Sequence, residues 1–237
     1  MRKWFSLFWL VLFSCTVAAE TLVVGLPEPG RRPFFWQDPE KQMTGSYTRL
    51  LKRIGAIAGV DIEFRMVPQS RLIVEFENNT IHIEPGVAPE WRPSARDVEI
   101  SRYTQAFMQM NDVLVQRRGR SFPDIASLAD LQKQAGLSVG QVRGFYVPEG
   151  IKATFLYNEM DIARLVNDGA LDVGFMNDKV AVFFKDTYGF NYDVTAPIAS
   201  TPVSLRFHRL NEKWVKPFDL AITQLRKSGE LKKLLSE

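Results

Sequence analysis

Two periods of apolar residues alternate along this chain. Thr21 to Leu26 (TLVVGL) is an unbroken apolar run, the form of a central parallel strand covered on both faces. From Ser46 the period becomes helical: Tyr47, Leu50, Leu51, Ile54, Ile57 and Ala58 fall on one face, with Ser46 read as N-cap and Gly59 as the stop. Val60 to Val67 then alternates apolar and polar, which predicts a second strand reached through a crossover helix, a parallel βαβ unit. A short helix over Gln69 to Glu77 and a strand at Ile81 to Ile83 repeat the theme.

β-forming residues next lead to a strand at Asp112 to Gln116, and the polar run Arg117 to Pro123 reads as a boundary. A second series follows: helix Ile125 to Gln134, strand Leu137 to Val142, helix Asp161 to Asn167, strand Leu171 to Phe175, helix Lys179 to Lys185. Strand patterns at Asp193 to Ala196 and Val203 to His208 precede a closing helix, Glu212 to Leu234, interrupted at Gly229. Repeated alternation of strand and helix predicts the α/β class, and the isolated closing helix suggests a second lobe inserted into a first.

The amino terminus stands apart from this pattern. Arg2 and Lys3 precede an apolar run from Trp4 to Phe13, and Val17-Ala18-Ala19 follows, so residues 1–19 read as a cleavable signal peptide and the mature chain as periplasmic. The alternative is a lipoprotein anchored at Cys15, the only cysteine, although Phe13 is large for a lipidation motif. With either cut the mature chain has no cysteine pair to form a disulfide. Removing Arg2 and Lys3 from the 30 Lys and Arg leaves 28 against 27 Asp and Glu, a balance of +1 with the signs interspersed. No basic stripe of the kind that binds nucleic acid is present.

The chain is poor in catalytic patterns. Its two histidines, His82 and His208, lie far apart within strand patterns, and no metal or other cofactor is expected. No Ser lies in a nucleophile elbow, and Gly140-Gln-Val-Arg-Gly144 is a turn without a phosphate-loop signature. The chain is therefore read as a binding protein rather than an enzyme. Ligands of open α/β sheets bind beyond the carboxyl ends of strands. That rule selects Phe34, Phe35 and Trp36; the turn from Glu84 through Glu90 to Arg92; Arg143 and Gly144; and Met176 to Asp178, with Asn177 between. An aromatic shelf with arginines suits a small anionic or zwitterionic molecule, since arginine pairs a carboxylate through two parallel hydrogen bonds.

The order of several segments resembles the bacterial extracellular solute-binding proteins of family 3, the polar amino-acid type that serves ABC importers. The resemblance rests on Pro33-Phe34-Phe35 followed by Gly45, Pro89-Glu90-Trp91-Arg92 with Ser101-Arg-Tyr103, Ser127-Leu-Ala-Asp-Leu131 leading to Leu137-Ser-Val-Gly140, Asn167-Asp-Gly-Ala-Leu-Asp172, and Gly229-Glu-Leu-Lys-Lys. It implies a type II periplasmic binding fold of two α/β lobes: residues 20–114 plus 201–237, and 115–200. Hinge strands are expected near Val113 to Gln116 and Asp193 to Ala199.

The resemblance further implies that Arg92 grips the ligand's α-carboxylate, that Phe35 or Trp36 stacks on the ligand, and that Asn177 or Asp178 takes its ammonium. Val87-Ala88-Pro89 lacks the Ser or Thr usual before that arginine, and Arg143-Gly144 replaces the usual Gly-Thr. A neutral amide at Asn177 where the resemblance implies an acid, and the cation added at Arg143, point to a more anionic ligand than an ordinary amino acid. The expected partners are the small molecule itself and an inner-membrane ABC permease or a sensory receptor, with the protein acting as a monomer. A dehydratase-like enzyme on the same fold, using Glu84, Glu90 or Asp178, is the remaining alternative.

Overall fold

The structure is a computed structural model that describes residues 20–119, 125–134, 136–145, 147 and 149–236. Residues 1–19, read from sequence as a signal peptide, and Cys15 among them lie outside the described residues.

Strands β1 (Thr21–Pro27), β2 (Trp36–Gln37) and β3 (Met43–Thr44) precede helix α1 (Ser46–Ala58). Strand β4 (Asp61–Val67), helix α2 (Gln69–Glu77) and strand β5 (Ile83–Val87) follow. β4, β1 and β5 pair in parallel, as the βαβ reading requires. β1 is covered on both faces: Leu22, Val24 and Leu26 enter the main core, while Val23 packs with Leu72, Phe76 and Ile81 on the other side. Each such fully buried aliphatic or aromatic side chain is worth roughly 1.5–3 kcal/mol.

A 3-10 turn (Pro89–Trp91), helix α3 (Ala95–Ile100) and strand β6 (Ser101–Tyr103) lead to β7 (Met108–Arg117). The second half contains α4 (Leu128–Gln132), β8 (Val139–Val142), β9 (Ala153–Leu156), α5 (Glu159–Asn167), β10 (Val173–Asn177), α6 (Asp178–Tyr188) and β11 (Tyr192–Val194). β12 (Ala199–His208) returns to the first half, where α7 (Val215–Lys227) and α8 (Glu230–Ser236) pack on α1. The strand order is β4-β1-β5-β12-β7-β10-β8-β9. β7 and β12 run antiparallel through the middle, from Met108 opposite Val203 to Asp112 opposite Ala199. The crossing therefore begins at Met108, ahead of the predicted Val113, and its second strand begins at Ala199.

Local chemistry explains the other differences from the sequence reading. Ser46 is not the N-cap. Gly45 caps α1 without a side-chain bond, at φ 110°, and a Cβ there would lie 2.3 Å from the Phe34 carbonyl oxygen, so only glycine fits. β5 runs on through Pro85-Gly86 to Val87, where a turn was expected, because Gly86, at φ 73°, bulges out of the ladder: Pro85 pairs with Leu205 and Val87 with the adjacent Ser204. β9 and α3 escaped the pattern reading. The closing helix breaks at Gly229, φ 78°, into α7 and α8.

Both histidines act as hydrogen-bond acceptors. His82 Nδ1 accepts from the Val23 N–H at 3.0 Å and His208 Nδ1 from Leu210 at 3.3 Å, and burial lowers both imidazoles below the usual histidine range.

Candidate functional site

The carboxyl ends of β1 and β5, the crossing strand β7 and the facing ends of β8 and β10 surround a cavity of about 120 Å³. That is comparable to the roughly 150 Å³ that accommodates one benzene ring, and so suits a molecule of amino-acid size. Phe35, Tyr47 and Trp91 wall it from the first half; Phe145, Phe175 and Met176 from the second. Tyr47 is buried beneath Gly86, where an added Cβ would meet its hydroxyl oxygen at 2.6 Å, so glycine at 86 lets the ring reach the cavity. Burial pushes the Tyr47 phenol upward, and it stays neutral.

Glu84 and Arg92 both line this cavity. Arg92 follows the 3-10 turn and donates through NH2 to Glu84 Oε1 at 2.5 Å and through NH1 to the Trp91 carbonyl at 3.2 Å. Its Nε is buried with no partner. The other Glu84 oxygen, Oε2, accepts from Arg206 at 2.9 Å, and Arg206 continues to Asp97 and to Ser101 Oγ. Burial would lower Arg92, but the Glu84 charge overrides it and the guanidinium stays protonated. The arginine's charge is thus anchored from behind while one N–H has no hydrogen-bond acceptor.

Of the other predicted residues, Phe35 and Gly144 line the cavity. Trp36 does not: it lies under the Arg32 guanidinium, 5.2 Å from its ring centre, beside a separate surface depression. Arg143 is exposed and also absent from the lining. Asn177 is fully buried and caps α6, its Oδ1 accepting from Lys179 and Val180 and its Nδ2 donating to the Asn111 carbonyl at 3.0 Å. Asp178 accepts from Asn111 Nδ2 at 2.9 Å and from the Lys179 N–H, outside the cavity lining. Neither residue lines the cavity in this arrangement. An Asn directly before Asp-Lys-Val-Ala-Val is a helix N-cap signature, which the sequence already carried. With Arg143 and Asn177 outside the lining, the sequence argument for a more anionic ligand loses its basis.

Three charged residues that sequence reasoning did not select complete the lining: Arg31, Asp112 and Glu159. Arg31, in the loop after β1, donates through Nε and NH2 to the two oxygens of Glu159 at 2.8 and 2.7 Å. Glu159 is the first residue of α5, so this bidentate pair joins the two halves across the cleft. The guanidinium lies between the rings of Phe34 and Phe145, 5.5 and 5.2 Å from their centres. Burial opposes the Arg31 charge and Glu159 restores it, with a net rise. In sequence Glu159 looks like an ordinary first-turn acid, and nothing there marks its partner 128 positions away.

This pair should hold the cleft closed. Glu159→Ala is expected to shift the closed-to-open ratio roughly tenfold toward open and to raise the radius of gyration of the ligand-free protein in X-ray scattering. An unchanged radius would show that the pair does not restrain the halves.

A family model, bacterial extracellular solute-binding proteins, family 3, matches residues 22–237. The chain belongs to this family. Among solved structures, it resembles a histidine kinase sensor domain with similarity to periplasmic binding proteins (18% identity, 92% of this chain and 95% of that one, TM-score 0.78). A second is an amino acid ABC transporter substrate-binding protein from Streptococcus pneumoniae bound to L-arginine (18%, 91% and 93%, TM-score 0.73). A third is an ancestral amino acid-binding protein described as a precursor of cyclohexadienyl dehydratase (18%, 91% and 93%, TM-score 0.74). No curated protein sequence matches the chain. At these identities the structural likenesses establish the periplasmic binding protein fold, while the family model establishes a solute-binding family of extracellular proteins. Among the described residues no helix is long and apolar enough to cross a membrane.

Proposed function

We propose that this protein is a periplasmic solute-binding protein that captures one amino acid, or a closely related carboxylate, between two lobes and presents it to an inner-membrane ABC importer. The lobes would be residues 20–114 with 201–237, and 115–200. The observation that carries the reading is the cavity of amino-acid size lined by Arg92, whose guanidinium is buttressed by Glu84 and, through it, by Arg206. A carboxylate is the acceptor that best satisfies such a donor. Phe35 and the apolar walls would enclose the rest of the ligand, and Gly144 leaves room beside Gln69, whose Cγ would lie 3.0 Å from an added Cβ.

Closure around the ligand would shift an open–closed equilibrium that the membrane partner reads. The likeness to a histidine kinase sensor domain favours a second reading, delivery of the same ligand state to a receptor.

A thermal-shift screen of the mature protein against the twenty L-amino acids and small dicarboxylates tests the proposal. At a hundredfold excess over its dissociation constant, the true ligand adds about 2.7 kcal/mol of stability and raises the melting temperature accordingly. No response from either class would overturn the reading. Recovery of a chemically altered ligand after long incubation would replace it with the dehydratase-like alternative.

A further inference from the structure

The cavity has three lining carboxylates, and two are already committed. Glu84 is shared between Arg92 and Arg206, and Glu159 is bound at both oxygens by Arg31. The third, Asp112, makes no side-chain hydrogen bond or ion pair among the described residues, although it lines the cavity on the crossing strand β7. Its strand position is fixed, with Ala199 opposite on β12 and Asn177 opposite on β10. Among the described residues no lysine lines the cavity, and Arg31 and Arg92 already hold carboxylates.

We propose that Asp112 receives the cationic group of the ligand, making the bound molecule one that carries a compact ammonium alongside its carboxylate. This rests on the reading of the cavity as the solute site. It assigns to the crossing strand the role that sequence resemblance had given to Asn177 or Asp178, both of which are engaged elsewhere. Placing the cation receptor on β7, which pairs with both β12 and β10, sets the ammonium where the two halves meet.

The electrostatic setting of Asp112 supports the assignment. Burial pushes the Asp112 carboxyl up to about 7, Arg31 opposes that rise, and Glu159 and Asp178 add to it; Glu84 and Arg92 line the same cavity as an ion pair. At pH 6 the ligand-free carboxyl is mostly protonated, and an arriving ammonium must displace that proton. Affinity for an ammonium-bearing ligand therefore rises with pH, about fivefold from pH 6 to 7 and about tenfold from pH 6 to 8, and levels off above the carboxyl's pKa.

Calorimetry of the wild type and Asp112→Asn, at pH 6 and pH 8, with the twenty L-amino acids and their matching 2-oxo acids, tests this. The expected result is an amino acid that binds the wild type more tightly at pH 8 than at pH 6, loses at least tenfold in affinity on Asp112→Asn at pH 8, and becomes nearly pH-independent. Asparagine is isosteric and uncharged, and a urea midpoint at pH 8 no lower than the wild type's shows that the variant folds. Retained amino-acid affinity in Asp112→Asn overturns the proposal. Wild-type binding of 2-oxo acids alone overturns it too, while leaving the solute-binding reading in place. No binding from either series overturns both.

Discussion

Arg206→Met should lower the unfolding free energy by about 3–5 kcal/mol, the usual cost of removing one member of a buried ion cluster. Arg206 is 2% exposed and bonds Glu84 Oε2, Asp97 Oδ1 and Ser101 Oγ, with its guanidinium 4.0 Å from the centre of the Phe76 ring. Methionine retains much of the volume but leaves Ser101 Oγ without its donor and the carboxylates of Glu84 and Asp97 short of counter-charge. Glu84 keeps Arg92, and Asp97 keeps Ser94 and lies nearer the surface, so the loss should fall within that range rather than beyond it. Urea denaturation monitored by circular dichroism reads the effect as a fall in midpoint at constant slope. A midpoint within experimental scatter of the wild type would mean that the cluster contributes no net stability.

Arg92→Ala should weaken ligand binding roughly 100-fold, about 2.7 kcal/mol, with little loss of stability. The separation between the two effects comes from the architecture. Arg206 still neutralises Glu84 when Arg92 is gone, so the fold retains its buried counter-charge while the cavity loses the guanidinium assigned to the carboxylate. Arg92→Lys should recover only part of the affinity, because a lysine ammonium lacks the planar fork that can hold Glu84 with one N–H and a ligand with another. Titration calorimetry with the amino acid identified by thermal shift measures both variants. Unchanged affinity in Arg92→Ala would remove Arg92 from the site and with it the main support for carboxylate recognition.

The pair of predictions separates two arginines that a linear reading treats very differently. Arg92 stands out in sequence because it follows a Pro-rich turn at the end of a strand. Arg206 sits inside a β run, Val203 to His208, and gives no sign that it is the structural counterpart of Glu84 from 122 positions away. The same limit explains Arg31 and Glu159. Each is an ordinary surface-type residue in its own segment, and the two become an ion pair only in the folded chain.

By itself the sequence determined the α/β class, the parallel β1–α1–β4 unit, α2 to the residue, the break at Gly229 and the family to which the chain belongs. Those features follow from periodicity and from the order of segments, which are local or nearly so. It also located the strand ends around Phe35, Glu84, Arg92 and Gly144, because the carboxyl ends of parallel strands are fixed by topology. Side-chain direction and long-range pairing belonged to the tertiary structure. Trp36 points away from the cavity beside Phe35, which lines it; Asn177 spends its amide on capping α6; and Asp112, read only as the start of a strand, is left as the cavity's uncommitted carboxylate. Whether a charge is satisfied depends on which groups the folded chain brings within hydrogen-bonding distance, and that information is absent from any single segment.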